Sequence, residues 1–180
     1  RCPRGVAITD VIRAVRNITL DSVIRAVPAS LRNAMGSLKN AGNPWGGSRE
    51  ERTDWAKDLS IPSVNGETET LYFSCCTPAF DPKMASVAKA TARILKNTGA
   101  KFGILGTREN CCGESVRKAG NYAVFESLAT SNIKAIQETG VKEIVATSPH
   151  CYGTFKNEYP SLGGEFNVIH STQYLAKLID

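Results

Sequence analysis

The chain of 180 residues is long enough for one domain with a real core, and its 42% hydrophobic and 22% charged residues are typical of a globular protein. Its net charge of +5 comes from 22 basic and 17 acidic side chains scattered along the chain, without the block of like charge that would indicate a nucleic-acid partner. No apolar stretch approaches the roughly 18 to 20 residues that span a bilayer, and no signal segment is visible, so we expect a cytoplasmic protein whose membrane association, if any, is made through a partner.

The first 65 residues have helical and irregular patterning. Apolar residues recur at the spacing of one helical face at Ile8, Val11, Ile12 and Val15. Helical patterning continues beyond them, with an interruption at Pro28 and an end near Gly42. Ser48 and Glu51 have the spacing of a capping box before a short helix. A polar stretch follows, and we place a domain boundary there, between residues 1–65 and 66–180.

Strands and helices alternate after that boundary. Short β-rich runs predict strands at 70–76, 101–105, 142–148 and 166–171. Helices are predicted at 82–97, 122–138 and 172–180, and the first has Asp81 as its N-cap and Pro82 at its first position. One side of that helix is predicted to carry Met84, Val87, Thr91, Ile94 and Leu95. This alternation predicts an α/β fold, a parallel sheet with flanking helices, preceded by a helical N-terminal segment.

Five of the six cysteines follow predicted strands. Cys75 and Cys76 end the first strand, Cys111 and Cys112 follow the second, and Cys151 follows the third. Ligands of open parallel sheets bind outside the carboxyl ends of the strands, so we expect these thiols to converge in loops at one edge. Adjacent cysteines make poor disulfide partners, because a bridge prefers a Cα separation greater than the roughly 3.8 Å across a trans peptide. The pattern therefore favours a metal centre over disulfides.

The type of ligand restricts the choice of metal. Thiolate-rich sites select zinc or iron–sulfur clusters. Structural zinc usually draws its ligands from tight C-x-x-C knuckles, and the chain has none. Ligands spread over roughly 75 residues, with adjacent cysteines in one loop, suit a cluster with several iron atoms to be reached. On spacing alone, a zinc site and a chain without metal stay open as alternatives.

Three segments carry a resemblance to a known family: YFSCCTPAFD, FGILGTRENCCGE and VATSPHCYGTFKNEYP. They resemble the cysteine-rich CCG domain of heterodisulfide reductase catalytic subunits, which is also found in iron–sulfur subunits of glycolate oxidase and anaerobic glycerol-3-phosphate dehydrogenase. The family pattern is a Cys, a long gap, Cys-Cys-Gly, a similar gap, and Cys-x-x-Cys. Here 34 residues (77–110) separate Cys76 from Cys111, and Gly113 completes the triplet. The resemblance implies a [4Fe-4S] cluster, cubane or non-cubane, with the ligands Cys76, Cys111, Cys112 and Cys151.

The chain departs from the family pattern at two positions. Ser148 stands where the family has the first Cys of its final pair, which is one of the five ligands of the non-cubane cluster that the resemblance implies. Cys75 stands where the family commonly has Gly, and is either a displaced fifth ligand or a buried small residue. His150 precedes a predicted ligand, and either donates a hydrogen bond or proton near the cluster or is part of the loop scaffold. Cys75, Ser148 and His150 are therefore additional candidates, and no catalytic residue is predicted.

The first residues, RCPRGVAITDVIRAVR, carry a second resemblance. They resemble the end of a ferredoxin-like domain, where Cys-Pro closes a run of cluster ligands. Cys2 would then bind a further [4Fe-4S] cluster whose other ligands lie outside this chain, and residues 1–65 would be the end of that domain and a helical linker. The alternative is a lone cysteine at position 2.

These resemblances imply a redox enzyme subunit similar to heterodisulfide reductase. It would move electrons between ferredoxin-type clusters and a disulfide or thiol, a quinone or a flavin. Its partners would be other redox subunits, carrying flavin, ferredoxin or a membrane quinone or haem centre. Because Ser148 weakens the catalytic interpretation, a non-catalytic electron-relay subunit is the first alternative. A structural zinc-binding assembly module is the alternative from another class.

Overall fold

The computed structural model describes the backbone of residues 2–179 and the side chains of residues 2–177. It confirms the predicted α/β class, with one parallel sheet of four strands in the order β2-β1-β3-β4. The strands are β1 (Thr70–Phe73), β2 (Phe102–Gly103), β3 (Glu143–Ala146) and β4 (Asn167–His170). In this order β1 and β3 are the central strands, and both are almost entirely buried.

Eight α-helices accompany the sheet within the described residues. They are α1 (Ile8–Ser22), α2 (Ala29–Ala41), α3 (Cys76–Phe80), α4 (Pro82–Asn97), α5 (Glu114–Lys118), α6 (Tyr122–Gln137), α7 (Pro149–Asn157) and α8 (Ser171–Ile179). Short 3₁₀ segments lie at Ile24–Ala26, Glu50–Ala56, Gly106–Arg108 and Tyr159–Leu162. None of the helices in the described part of the chain has the length and apolar character that a membrane crossing needs.

The capping signals read from the sequence form as predicted. Asp81 accepts a hydrogen bond from the backbone N–H of Lys83 at 2.9 Å, and α4 begins at the next residue after Asp81. The capping box also forms in both directions: the Ser48 N–H donates to the Glu51 carboxylate at 2.8 Å, and the Glu51 N–H donates to the Ser48 hydroxyl at 3.3 Å. Such caps satisfy helix N–H groups that have no intrahelical partner.

Three short helices, α3, α5 and α7, were not predicted. Each begins at or beside a cysteine: α3 starts at Cys76, α5 starts two residues after Cys112, and α7 carries Cys151 in its first turn. The signal for α7 was present in the sequence, because Ser148 and Pro149 repeat the cap-then-proline order that identified α4. The strands are correspondingly shorter than predicted, and β1 ends at Phe73.

The side of α4 that carries its larger residues coincides only in part with the side that is buried. The side chains that α4 buries are Ala88, Ala92 and Leu95, whereas Met84 is 40% and Ile94 37% exposed. Small alanines allow the helix axis to approach the sheet closely, and larger residues on the neighbouring face then remain at the surface. Hydrophobicity alone therefore identified the helix but not its buried face.

The sheet separates two apolar clusters. Leu71 and Phe73 point into one cluster, which includes residues from α2, α6 and α7. Tyr72 and Val145 point into the other, where they meet Trp55 and the alanines of α4. Because both faces are covered, the central strands carry apolar residues at consecutive positions, Leu71 to Phe73 in β1 and Ile144 to Ala146 in β3, rather than at alternate ones.

Packing crosses the predicted boundary at residue 65, which itself stays a prediction. Val27, Met35, Leu38 and Val64 belong to the same cluster as the sheet residues Leu71 and Phe73. In contrast, α1 buries no side chain. Two of its polar side chains reach the body of the protein, since those of Arg16 and Asn17 donate to backbone carbonyls at positions 118 and 120.

A buried ion pair joins the N-terminal segment to the loop after β2. Arg52 and Glu109 lie 2.8 Å apart with side chains only 2% and 3% exposed. A second Arg52 nitrogen donates to the carbonyl of Gly42 at 3.1 Å, and the guanidinium lies over the Phe80 ring. Burial raises the pKa of Glu109 to about 7, and the charge of Arg52 opposes this shift. Breaking such a pair leaves one charge buried without compensation.

We expect Arg52→Met to destabilise the fold by roughly 3–5 kcal/mol at pH 8, because Glu109, which is ionised beside Arg52 in the parent at this pH, must then be buried either as an unpaired charge or in its protonated form. Since the pKa of Glu109 is raised in the fold, the deficit should grow as pH rises through about 7 and shrink at lower pH, where the carboxyl is protonated. Urea denaturation at several pH values measures this loss in the free energy of unfolding. Lys101→Met is the control, because Lys101 and Glu69 form an exposed pair, 68% and 70% exposed, worth about 0–1 kcal/mol. Equal losses in both variants would contradict the prediction.

Candidate metal centre

The topology creates a crevice between β1 and β3. From β1 the chain proceeds to β2 on one side, and then crosses to β3 on the other side of β1. At such a reversal the loops leave the two central strands in opposite directions, and ligands of open α/β sheets bind in the opening between them. Cys75 and Cys76 follow β1, and Cys151 follows β3. The loop after β2 adds Cys111 and Cys112.

The structure brings these five thiols together in a closed ring of contacts, which we call the thiol ring. The Sγ atoms of Cys76 and Cys111 are 3.7 Å apart. The pKa of Cys75 responds to Cys76 and Cys151, and that of Cys112 responds to Cys111 and Cys151, so these thiols are neighbours as well. All five residues are buried, at most 7% exposed, and none forms a disulfide. The structure therefore brings the four predicted ligands together at one place, with Cys75 beside them.

The thiol ring lines a cavity of about 330 Å³. Four residues of α2 close one side and form what we call the apolar cover: Leu31, Ala34, Met35 and Leu38. Trp45 stands at the rim and is half exposed. Because a water molecule occupies about 30 Å³ of liquid, the cavity has room for a group much larger than a single ion with one bound water.

Hydrogen bonds within the thiol ring separate the acidities of its members. The neighbouring thiols Cys111 and Cys151 lower the pKa of Cys112 to about 6, and the neighbouring thiols Cys151 and Cys76 lower the pKa of Cys75 well below its usual range. The pKa values of Cys76, Cys111 and Cys151 are raised by their thiol neighbours and by burial. Two thiolates are thus favoured by the protein alone. Ionising all five requires a positively charged group in the cavity.

The donor set fits a cluster better than a single ion. Among the described residues, no group of three or more His, Cys, Asp or Glu side chains has the arrangement of a single-ion site. The thiols instead surround a cavity, and five soft donors exceed the four of a tetrahedral zinc site. Soft thiolates in a buried site are the ligands of iron–sulfur clusters.

Backbone N–H groups also favour the ionised form of three of the cysteines. The N–H groups of Thr77, Gly113 and Glu114 lower the pKa values of Cys75, Cys111 and Cys112, respectively. These donors lie at the beginnings of α3 and α5, where N–H groups are not used within the helix. Gly113 has φ +86°, and a Cβ at this position would meet the Phe125 ring at 2.7 Å. The third member of the Cys-Cys-Gly triplet must therefore be glycine for both backbone and packing reasons.

Two buried polar side chains, Asn132 and Tyr159, hold the backbone of the cysteine loop. The Asn132 side chain accepts from the Asn110 N–H at 2.8 Å and donates to the carbonyls of Asn110 and Cys111 at 3.2 Å. It also donates to the Tyr159 hydroxyl at 3.1 Å, which in turn donates to the carbonyl of Cys112 at 3.2 Å. This network fixes the direction in which the two adjacent thiols point.

The roles of Asn132 and Tyr159 in this network were not predicted from the sequence. The signal was Asn132 itself, which falls four residues after Leu128 on the apolar face of α6 and is fully buried. A buried amide on such a face requires hydrogen-bond partners. A polar residue at a core position was therefore the pointer to a nearby constrained backbone.

The remaining candidate residues differ in their relation to the cavity. Ser148 lines it together with Cys75, and contributes to the lowered pKa of Cys75. His150 is at its edge with a side chain 67% exposed, and its Nδ1 lies 3.1 Å from the Glu114 carboxylate. Cys2 is partly exposed and lies outside the residues that line the cavity. The roles assigned to these residues from the sequence stay predictions.

Asn132→Leu should destabilise the protein by at least about 2 kcal/mol, because it leaves the Asn110 N–H and the Cys111 carbonyl buried without partners. The exposed Ser127 on the same helix provides the control, and Ser127→Ala should stay within about 0.5 kcal/mol of the parent. Urea denaturation compares the two variants. A neutral Asn132→Leu variant would show that the network does not constrain the loop.

Gly113→Ala should cost about 1–3 kcal/mol more than Gly140→Ala. Both glycines have positive φ, so both alanines strain the backbone, but only Gly113 faces a ring at contact distance while Gly140 faces open space. The difference between the two free energies of unfolding isolates the clash with Phe125. Equal losses would mean that the ring moves away freely.

Comparison with known proteins places these features in context. The family model described as CCG, cysteine-rich domain, matches residues 70–156. The matched segment contains β1, β2, β3 and all five cysteines of the thiol ring.

Three curated relatives are similar over most of this chain. EtfAB:quinone oxidoreductase from Syntrophomonas wolfei is 35% identical over 85% of the chain, and the probable iron-sulfur-binding oxidoreductase FadF from Bacillus subtilis is 38% identical over 82%. A component of the dihydromethanophenazine:CoB--CoM heterodisulfide reductase from Methanosarcina barkeri is 30% identical over 99%. The chain spans 22% of the length of the first two relatives and 44% of the third. No solved structure matches the chain significantly.

Proposed function

Since residues 70–156 belong to the family of cysteine-rich CCG domains, we propose that this chain works as an electron-transferring iron–sulfur subunit of an oxidoreductase. The observation that carries the proposal is the thiol ring, in which five buried thiols from three loops surround one cavity. The names of the relatives agree, since they describe oxidoreductases that are iron–sulfur-binding or that act with a quinone or a heterodisulfide.

The ligands proposed for this cluster are the four thiols expected from the sequence. Cys76 comes from the loop after β1, Cys111 and Cys112 from the loop after β2, and Cys151 from the first turn of α7. Four thiolates suffice for a [4Fe-4S] cluster. The same proposal includes a further [4Fe-4S] cluster with Cys2 as one ligand. Residues outside this chain would supply its other ligands.

The protein groups around the site prepare it for electron transfer. A bound iron–sulfur cluster accepts and releases single electrons, at a potential set by charge, hydrogen bonds to sulfur and solvent exposure. The backbone N–H groups of Gly113 and Glu114 supply such hydrogen bonds. The apolar cover limits the entry of water. Together these groups stabilise the added negative charge while keeping the site dry.

Electrons would enter or leave at the rim beside Trp45 and His150, where the cavity reaches the surface. We propose that the partner at this rim is another redox centre, a flavin, a quinone or a ferredoxin-type cluster, or a disulfide substrate. The serine at position 148 favours relay over disulfide cleavage, because it removes one thiol from the family pattern. A cytoplasmic location, with membrane attachment through a partner protein, stays part of this proposal.

A structural zinc module is the second candidate, and one distance favours it. With Zn–S bonds of about 2.3 Å, two ligands of a tetrahedral zinc lie about 3.8 Å apart, close to the 3.7 Å between Cys76 and Cys111. The size of the cavity and the fifth thiol count against it. Metal analysis separates the two candidates directly.

Protein prepared without oxygen should contain iron and acid-labile sulfide in equal amounts, about four of each per bound cluster, and should show an EPR signal after reduction. Cys112→Ser should lose most of the iron, because Cys112 is a buried member of the thiol ring. Ser127→Ala is the control, since Ser127 is exposed on α6 and lies outside the residues that line the cavity. Zinc in place of iron, or no bound metal, would contradict the proposal, as would equal iron contents in the two variants.

A further inference from the structure

Cys75 has a backbone conformation that a residue with a side chain rarely adopts. Its φ of 75° and ψ of 157° lie in a region that is open essentially to glycine alone. Apart from glycines, the described residues with positive φ are Ser60 and Cys75. Ser60, with φ 48°, is at the surface, whereas Cys75 is buried at the end of the central strand β1. A small buried residue with a packing role alone would not require this strain.

The strained conformation places the Cys75 sulfur between two members of the thiol ring. Cys75 is 6% exposed and lines the cavity together with Cys76 and Cys151. Cys76 and Cys151 come from loops after different strands, and Cys75 is the residue that connects them. Without its sulfur, the ring would be open on the side that faces β1 and β3.

Ser148 completes the surroundings of this sulfur. Ser148 lines the same cavity as Cys75, and its hydroxyl is a group that can donate a hydrogen bond to a sulfur there. The sulfur of Cys75 therefore reaches the part of the cavity that lies beside position 148. One thiol and one hydroxyl share this corner, and of the two the thiolate is the stronger ligand for iron.

We infer that Cys75 is a fifth thiolate ligand of the cluster, and that Ser148 positions this thiolate through a hydrogen bond and does not itself bind iron. The inference rests on the proposed iron–sulfur function. It assigns a purpose to the strain at Cys75, because the strained conformation is the one in which this residue lines the cavity.

Two substitutions separate the sulfur of Cys75 from its backbone strain. Cys75→Gly removes both, whereas Cys75→Ala removes the sulfur and keeps a side chain in the strained conformation. The measurements are the iron and sulfide contents of anaerobic protein, the EPR spectrum after reduction, and the urea midpoint of the metal-free protein. If Cys75 binds iron, both variants should change the EPR spectrum in the same way and lower the iron content. The metal-free Cys75→Gly protein should have a higher urea midpoint than the parent, because strain is relieved.

A thiol restored at position 148 provides the reciprocal test. The double variant Cys75→Gly/Ser148→Cys should recover iron content that Cys75→Gly has lost, because the new sulfur enters the same corner of the cavity. Ser148→Ala should keep the iron content of the parent and shift the EPR spectrum, as expected for a lost hydrogen bond to a ligand.

The outcomes distinguish this inference from the function on which it rests. If the parent protein contains the cluster and both Cys75 variants keep its iron content and its spectrum, the inference is overturned and the proposed function stands. A change in Cys75→Gly without one in Cys75→Ala also overturns it, because the effect then comes from the backbone. If the parent protein contains no iron, the proposed function fails, and the inference fails with it.

Discussion

Five buried thiols gathered at one largely apolar cavity are the constraint on which the rest of this structure depends. A buried thiolate needs hydrogen bonds or a nearby positive charge, and five of them cannot be ionised side by side by the protein alone. The hydrogen bonds within the thiol ring favour ionisation at Cys75 and Cys112 and oppose it at the other three. The apolar cover and the Asn132–Tyr159 network keep the arrangement dry and fixed. The site is thus prepared for a cationic cofactor before one binds.

The sheet explains how residues far apart in the sequence supply one site. The strand order puts the ends of β1 and β3 on either side of a crevice, and the loop after β2 crosses to it. The N-terminal segment then secures that loop, since the Gly42 carbonyl accepts from both the Cys111 N–H at 2.7 Å and from Arg52 at 3.1 Å. Arg52 also neutralises Glu109 beside the cysteines. The cavity is therefore built by elements from both sides of the predicted boundary at residue 65.

The helices and strands could be predicted from local sequence signals such as caps. The contacts between residues distant in sequence could not, because they depend on how the whole chain packs. Asp81 with Pro82 fixed the start of α4, and the glycine at 42 marked the end of α2, because caps act within a few residues of the chain. The convergence of the cysteines followed from strand order in general. The pairing of Arg52 with Glu109 and the contacts of Asn132 link residues that are far apart in sequence, and no local pattern specifies such contacts. The glycine-like conformation of Cys75 likewise depends on the loop as a whole.

The apolar cover has a consequence for the rate at which the cysteines are oxidised in air. It belongs to α2, a helix of 13 residues that buries Met35 and Leu38 and leaves Leu31 exposed. Oxidation of a thiol requires contact with the oxidant, so buried sulfurs react through transient openings of the segment above them. The lifetime of the reduced cysteines is then governed by the free energy of detaching α2 from the sheet, more than by the intrinsic reactivity of sulfur. A binding partner that holds α2 in place would therefore slow the oxidation of the cysteines without contacting any of them.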